Sequence, residues 1–364
     1  MILYINHRDI YSGAEKVLLD TVCSKEFKYT HLVLVPKSSK LKDECAKRKV
    51  PHIECKYLKG RSEFSNIFSY FINLLRLNIL LASLVKQYKI STIHSNSYFS
   101  SVIIFPLAII FRRKIKFVWT LHDINGTVFD YALRYLITIV YHHTIVVSKA
   151  TRRSLWTMLV PKSKISTIYN GISVENREPS RSKNVQLLSI GMIAPWKGQE
   201  ELIKSVKRDA VRYPLHLIGD NLDDQAYVFH VKSLCVGMNV KFHGFIDSPW
   251  KHVAEQISPD SLAILIHTSI MPDPLPTVIL ESIANAIVPF VSCHGGGCEM
   301  IPEHLQSLLV YDPCDKLQIR DVLECRIKYI MDNQSEIIDD LKSHLRNNFS
   351  LDSKIKALAN IYVS

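Results

Sequence analysis

Two carboxylates eight positions apart, with a glycine turn shortly behind them, are where this chain offers chemistry. The segment reads Asp273-Pro-Leu-Pro-Thr-Val-Ile-Leu-Glu281, followed by Pro289-Phe-Val-Ser-Cys-His-Gly-Gly-Gly297 and Glu299. A loop stiffened by Pro272, Pro274 and Pro276 runs into a helix that carries Glu281. Carboxylates at such a junction accept hydrogen bonds from ligand hydroxyls, and the free N–H groups of a helix start attract phosphate. Hydroxyls at both ends with a diphosphate between them describe a nucleotide sugar. Alone, the pair also suits two solvated acids flanking an ordinary helix, so the decision rests on what accompanies it.

Four other places offer polar groups just after a strand pattern. Ser12-Gly13-Ala14-Glu15 pairs a permissive glycine with a helix start, as an ordinary tight turn would. His122-Asp123 offers an imidazole that can bond a sugar or hold a proton, or simply cap a loop. Gly191-Met-Ile-Ala-Pro-Trp-Lys197-Gly198 offers an ammonium for phosphate, or a solvated lysine. Asn170-Gly171 reads as a hinge turn with unusual backbone angles.

The elements that must position these residues alternate. Strands are expected at 2–6, 31–35, 51–55, 92–94, 117–121, 145–147 and 165–168, then at 187–190, 215–218, 240–242, 263–266 and 289–292. Helical spacing lies between, at 14–22, 66–86, 199–207, 225–235, 278–286 and 317–331. This is the grammar of buried parallel sheets. Residues 172–184 look like a linker, so two Rossmann-like domains are expected in tandem, over 1–170 and 171–349. A C-terminal helix at about 350–364 is expected to pack back onto the first. Ligands of such sheets bind beyond the carboxyl ends of the strands, here in the cleft that the two sheets face.

The chain has 364 residues, 47% of them hydrophobic, which suits a folded protein of two cores. Its opening, Met1-Ile-Leu-Tyr-Ile-Asn6, is a strand pattern without an export signal. Eight scattered cysteines without a C-x-x-C pair read as reduced thiols of a cytoplasmic protein. Residues 1–170 hold 26 Lys and Arg against 10 Asp and Glu, whereas residues 171–364 hold 19 against 24. No nucleic-acid-binding motif accompanies the basic half, so an anionic membrane face is the expected neighbour. The apolar segment 64–85, after Lys56, Lys59 and Arg61, is interrupted by Asn66, Asn73, Arg76 and Asn78. That makes a poor transmembrane span, and a core helix or an interfacial helix is expected instead. No G-x-G-x-x-G, phosphate-binding P-loop, Asp-x-Asp or His/Cys cluster with zinc spacing occurs, so no cofactor or metal is required.

Taken in order, these motifs resemble the retaining glycosyltransferases of the GT-B type, family 4. The resemblance runs through Ser12-Gly13-Ala14-Glu15, Thr120-Leu-His122-Asp123, Val146-Val-Ser148, Ile168-Tyr-Asn170-Gly171-Ile172, Gly191 to Gln199, Val240-Lys-Phe-His-Gly244, and Asp273 to Glu281 with His294-Gly-Gly296 and Glu299. Two positions depart from it. Met192 stands where an arginine is usual, and Asp273 is one methylene shorter than the usual glutamate.

The resemblance implies a hexosyltransferase in O-antigen, capsule or lipopolysaccharide assembly. It would move a sugar from a nucleotide-diphosphate donor to a glycan or lipid-linked acceptor with retention. It implies catalytic roles for His122, Asp273 and Glu281, and donor binding by Gly13, Gly191, Lys197, Leu275, Thr277 and Glu281. It places Glu15 and Asp123 on the acceptor side, with no metal. The protein would be cytoplasmic and peripheral on the inner face of the plasma membrane. A nucleotide-sugar 2-epimerase and a non-catalytic sugar- or nucleic-acid-binding protein are the alternative expectations.

Overall fold

Short runs of Val, Ile and Leu without alternation become strands covered on both faces. The computed structural model describes residues 1–9, 11–58, 67–173, 177–178, 182, 184–208, 213–257 and 261–363. Its contacts divide the chain into two units, residues 1–171 with 351–364, and residues 172–350.

The first unit is built on seven strands: β1 (Ile2–Ile5), β2 (His31–Pro36), β3 (His52–Cys55), β4 (Thr92–Ser95), β5 (Lys116–Leu121), β6 (His143–Val146) and β7 (Ile165–Thr167). All neighbours are parallel, in the order β3-β2-β1-β4-β5-β6-β7. The second unit holds β8 (Val185–Ile190), β9 (Leu215–Ile218), β10 (Val240–Gly244), β11 (Leu262–His267), β12 (Val288–Ser292) and β13 (Val310–Tyr311). These too are parallel, ordered β10-β9-β8-β11-β12-β13. In each sheet the strand order reverses beside its first strand, between β1 and β4 and between β8 and β11. Crevices for ligands open at such reversals.

The central strands are sealed. All six residues of β11 are buried, as are Trp119 and Phe117 of β5. Each such large apolar side chain contributes roughly 1.5–3 kcal/mol on burial. The C-terminal helix Leu351–Val363 belongs to the first unit, where Leu358 and Ile361 enter the core beside Val118 and Ile145 and Ile355 packs with Ile2, Tyr4 and Leu19. Tyr362 hydrogen-bonds Tyr4 at 2.7 Å and His94 Nδ1 at 2.6 Å.

Several elements differ from expectation. β13 was not expected, because two residues carry no pattern. Helices at Tyr98–Ile103, Phe105–Phe111 and Val128–Val140 fill stretches left unassigned. Val128–Val140 exposes Val128, Phe129 and Leu136, so apolar side chains on its outer face blur the helical period. The helix expected at 317–331 is divided into Lys316–Asp321 and Ile327–Asn348 around a wider-turned stretch, Val322–Arg326. Much of the expected linker 172–184 lies outside the described residues, as do residues 64–66, Lys59 and Arg61 of the basic apolar segment.

What is described of that segment is the helix Ile67–Gln87. From Phe68 onward it is long and apolar enough to cross a bilayer by length and composition. Leu77, Leu81 and Leu84 pack into the first unit's core, while Phe68, Phe71, Leu75 and Ile79 are exposed.

Candidate active site

At the reversal of the second sheet, the turns after β8 and β11 bring an ammonium onto a carboxylate. Gly191 ends β8 and gives its N–H to the Ile218 carbonyl of β9. A single turn, Pro195–Lys197, follows, and Gly198 closes it with φ of 71°. A β-carbon at Gly198 would lie 2.1 Å from the Thr268 carbonyl oxygen, so only glycine permits this approach. Thr268 also donates its hydroxyl to the Lys197 carbonyl at 2.6 Å. Lys197 is thus held from both sides. Its Nζ donates to Asp273 Oδ2 at 2.6 Å and stands 4.3 Å from the centre of the Trp196 ring.

Asp273 is positioned by backbone. It forms an isolated parallel bridge with Gly295, and its carbonyl accepts the Gly296 N–H at 2.8 Å. Gly295 has φ of 96°, and a β-carbon there would meet the Asp273 carbonyl oxygen at 2.1 Å. The aspartate is 7% exposed. Burial alone would raise its carboxyl, but the Lys197 ammonium and His267, whose Nε2 is 3.8 Å away, hold it well below the usual carboxylate range. Burial lowers His267, against the pull of Asp273.

Downstream, Leu275 is buried and Thr277 is the first residue of the helix Thr277–Ala284. Pro276 precedes it and supplies no side-chain cap. The helix start therefore lacks the usual Ser, Thr or Asp partner. Glu281, one turn on, accepts a hydrogen bond from the Trp250 indole at 2.6 Å. The second unit thus brings Lys197 onto Asp273, with Gly191 at the start of the same turn after β8, and Leu275, Thr277 and Glu281 following Asp273 on one loop and helix. A cavity of about 320 Å³, lined by Trp250, Ala263 and Ile287, opens elsewhere, towards the amino ends of β11 and β12.

In the first unit, Gly13 begins the helix Gly13–Cys23 behind Ser12. Glu15, expected to face an acceptor, is buried and accepts from Ser12 N at 3.0 Å and Ser12 Oγ at 2.5 Å, closing a capping box. Asp123 lies 3.9 Å from Arg8 in a half-exposed pair. His122 follows β5 and shares a small cavity with His94, Thr120, Asn96 and Lys354. Its Nε2 is sealed from solvent and has no hydrogen-bond partner. Burial pushes His122 down to about 3, helped by Lys354 and Arg8, so the imidazole is neutral. Lys354, from the C-terminal helix, donates to Thr21 Oγ1 at 2.9 Å, and burial brings it down to about 7.

Two family models match in tandem: "Glycosyltransferase Family 4" over residues 27–176 and "Glycosyl transferases group 1" over residues 173–344. The chain is a family 4 glycosyltransferase of the GT-B fold. This glycosyltransferase is 26% identical over 181 residues to a lipopolysaccharide 1,6-galactosyltransferase of Salmonella typhimurium. That match covers 48% of each, so the chain spans about half the length of the curated relative. Among solved structures, Anabaena HepE in complex with UDP and glucose superposes with a TM-score of 0.80 at 18% identity, over 100% of this chain and 99% of HepE. The apo lipopolysaccharide outer core galactosyltransferase WaaB superposes at 0.70 and 16% identity, over 100% and 99%.

Several residues around these sites of the glycosyltransferase carried no sequence signal. Trp250 and His267 reach Glu281 and Asp273 only through the fold. Arg134 is buried and donates to the carbonyls of Ile124 and Asn125 at 3.0 and 2.7 Å, which fixes the loop after His122. Met192 is 44% exposed, and its carbonyl accepts the Gln199 side-chain amide.

Proposed function

We infer that this glycosyltransferase moves a hexose from a nucleotide-diphosphate donor to a hydroxyl of a lipid-linked glycan, with retention, in the assembly of a surface polysaccharide such as lipopolysaccharide. The observation that carries this reading is the Lys197–Asp273 pair beside the uncapped helix start at Thr277. It sets an ammonium, a carboxylate and a helix start without a side-chain cap after the strands at one strand-order reversal. The HepE complexes with UDP and with UDP-glucose, and the galactosyl transfer named for the Salmonella relative, support the choice of donor and pathway.

The roles follow from the chemistry. Lys197 and the amides at Thr277 neutralise the diphosphate as it departs, the electrostatic contribution that dominates such reactions. Asp273, once its ammonium turns to phosphate, accepts from a hydroxyl of the donor sugar. Glu281 exchanges the Trp250 indole for ribose hydroxyls. His122, whose imidazole is neutral, is the first unit's candidate for a hydrogen bond to the sugar. The leaving phosphate oxygen takes the acceptor's proton, so no protein base is assigned. Transfer on this scheme needs no added divalent cation. The basic first unit and the exposed stripe Phe68, Phe71, Leu75 and Ile79 support peripheral attachment to the anionic inner face of the plasma membrane.

A thermal-shift panel of UDP-, GDP-, dTDP- and CMP-sugars tests this, because a ligand of the native state raises its melting temperature. One donor class is expected to stabilise the protein and to be consumed only with an acceptor. A donor turned into its 2-epimer without acceptor, or no stabilisation by any donor, refutes the assignment.

A further inference from the structure

Behind the Asp273 loop, two segments with no ligand spacing between them in sequence converge. Cys293 and His294 follow β12, and Asp312 follows β13. One ligand atom from each of the three lies within 4.8 Å of the others. His294 Nε2 and Asp312 Oδ1 are 3.2 Å apart. Cys314, two residues beyond, donates its backbone N–H to the same Asp312 oxygen at 2.8 Å, and its thiol is exposed. A tetrahedral cation with bonds of about 2.0–2.3 Å sets its ligands roughly 3.3–3.8 Å apart, inside the 4.8 Å within which the three ligand atoms of Cys293, His294 and Asp312 lie; Cys314 stands beside this group as the fourth candidate.

Other features of the cluster suit a cation. Asp312 adds a carboxylate beside the Cys293 thiol and the His294 ring. The ligands have outer support. Asp312 N–H is held by Gln318 Oε1 at 2.9 Å, His294 N–H by Ser292 Oγ at 3.2 Å, and Cys293 N–H by the Tyr311 carbonyl at 2.9 Å. Both cysteines are exposed, so an ion has a path in. Thiolate, imidazole and carboxylate together suit a borderline-soft divalent ion better than Mg²⁺ or Ca²⁺, which prefer all-oxygen sites.

We propose that Cys293, His294, Asp312 and Cys314 form a binding site for a single Zn²⁺-like cation that ties the β12 loop to the β13 loop. The ion would be structural. The His294 carbonyl accepts the Asp273 N–H at 3.5 Å, so fixing His294 steadies the backbone that presents Asp273. This inference is independent of the transfer reaction and stands or falls on metal binding.

The test is titration of the reduced, chelator-treated full-length protein with Co²⁺ and then Zn²⁺. We expect one equivalent of Co²⁺ to give a thiolate charge-transfer band and tetrahedral d–d absorption, both abolished by one equivalent of Zn²⁺. Zn²⁺ should also raise the melting temperature. Cys293→Ser should remove the charge-transfer band or weaken binding at least tenfold, and Asp312→Asn and Cys314→Ser should each weaken it. Mg²⁺ should not compete. The proposal is overturned if the native protein gives no thiolate band, or if Cys293→Ser and Cys314→Ser, each shown folded by circular dichroism, bind Co²⁺ as the native protein does.

Discussion

Lys354 offers the sharpest quantitative test. It comes from the last helix, lines the first unit's small cavity, and has its ammonium brought down to about 7 by burial. An unfolded lysine holds its proton up to about 10.4. Between these two values the unfolded chain binds a proton that the folded chain has released, so stability rises with pH across that window. Below about pH 7 both states are charged and the full cost of burying the ammonium is present. The gap corresponds to roughly 4–5 kcal/mol. Lys354→Met removes that cost. It also removes the hydrogen bond to Thr21, worth about 1 kcal/mol, although the Thr21 hydroxyl keeps its bond to the Val17 carbonyl. The variant should therefore be stabilised by about 3–4 kcal/mol at about pH 6, and by roughly nothing at about pH 10. For a unit of this size that is a rise of about 8–12 °C in its melting temperature at the lower pH. Calorimetry of the two proteins at both pH values measures it. An equal gain at both, or a loss at about pH 6, refutes the reasoning.

Other outcomes follow from the second unit and the apolar helix. Lys197→Met should cost about 3–5 kcal/mol of stability by stranding the buried Asp273 carboxylate, and adding Asp273→Asn should restore most of that stability but not donor binding; denaturant melts and calorimetric titration separate the two. The paired Asp273 carboxyl sits below its usual range, so its contribution to stability is present above about pH 4 and fades as pH falls below the ordinary carboxylate value; Asp273→Asn should flatten this part of an acid-unfolding profile. Glu281→Ala should abolish transfer while circular dichroism stays native, and normal turnover would reject its role. Phe71→Glu with Leu75→Glu should reduce sedimentation with anionic vesicles, native binding should weaken as salt rises, and vesicle binding equal to native would remove that face from the membrane argument.

Apart from β13, the strands were legible because each is a short apolar run followed by a polar or glycine turn, and the tandem sheets follow from their alternation. The same turns drew the reading to Gly191, Lys197 and Asp273, which the structure places after β8 and β11, since parallel sheets collect their polar groups at carboxyl ends. What stayed hidden depends on contacts made across sequence. Trp250 meets Glu281 from a different helix, His267 looks like the last residue of a strand, and Lys354 looks like a surface lysine on an amphipathic helix. The convergence of Cys293 and His294 with Asp312 required knowing that β13 pairs with β12, and a two-residue strand leaves no periodic trace. Glu15 was legible in the other direction: Ser12-x-x-Glu15 is a capping box in sequence, and capping is where the fold uses it.

The return of the final helix to the first sheet also sets an order of events during synthesis. Residues 172–350 are all available before residues 351–363 leave the ribosome. Until then Tyr4 and His94 lack their Tyr362 partner, and the groove that Ile355, Leu358 and Ile361 fill stands open. The later-made unit can therefore finish folding while the earlier-made one still waits for its last segment, a reversal of the usual amino-terminal-first sequence.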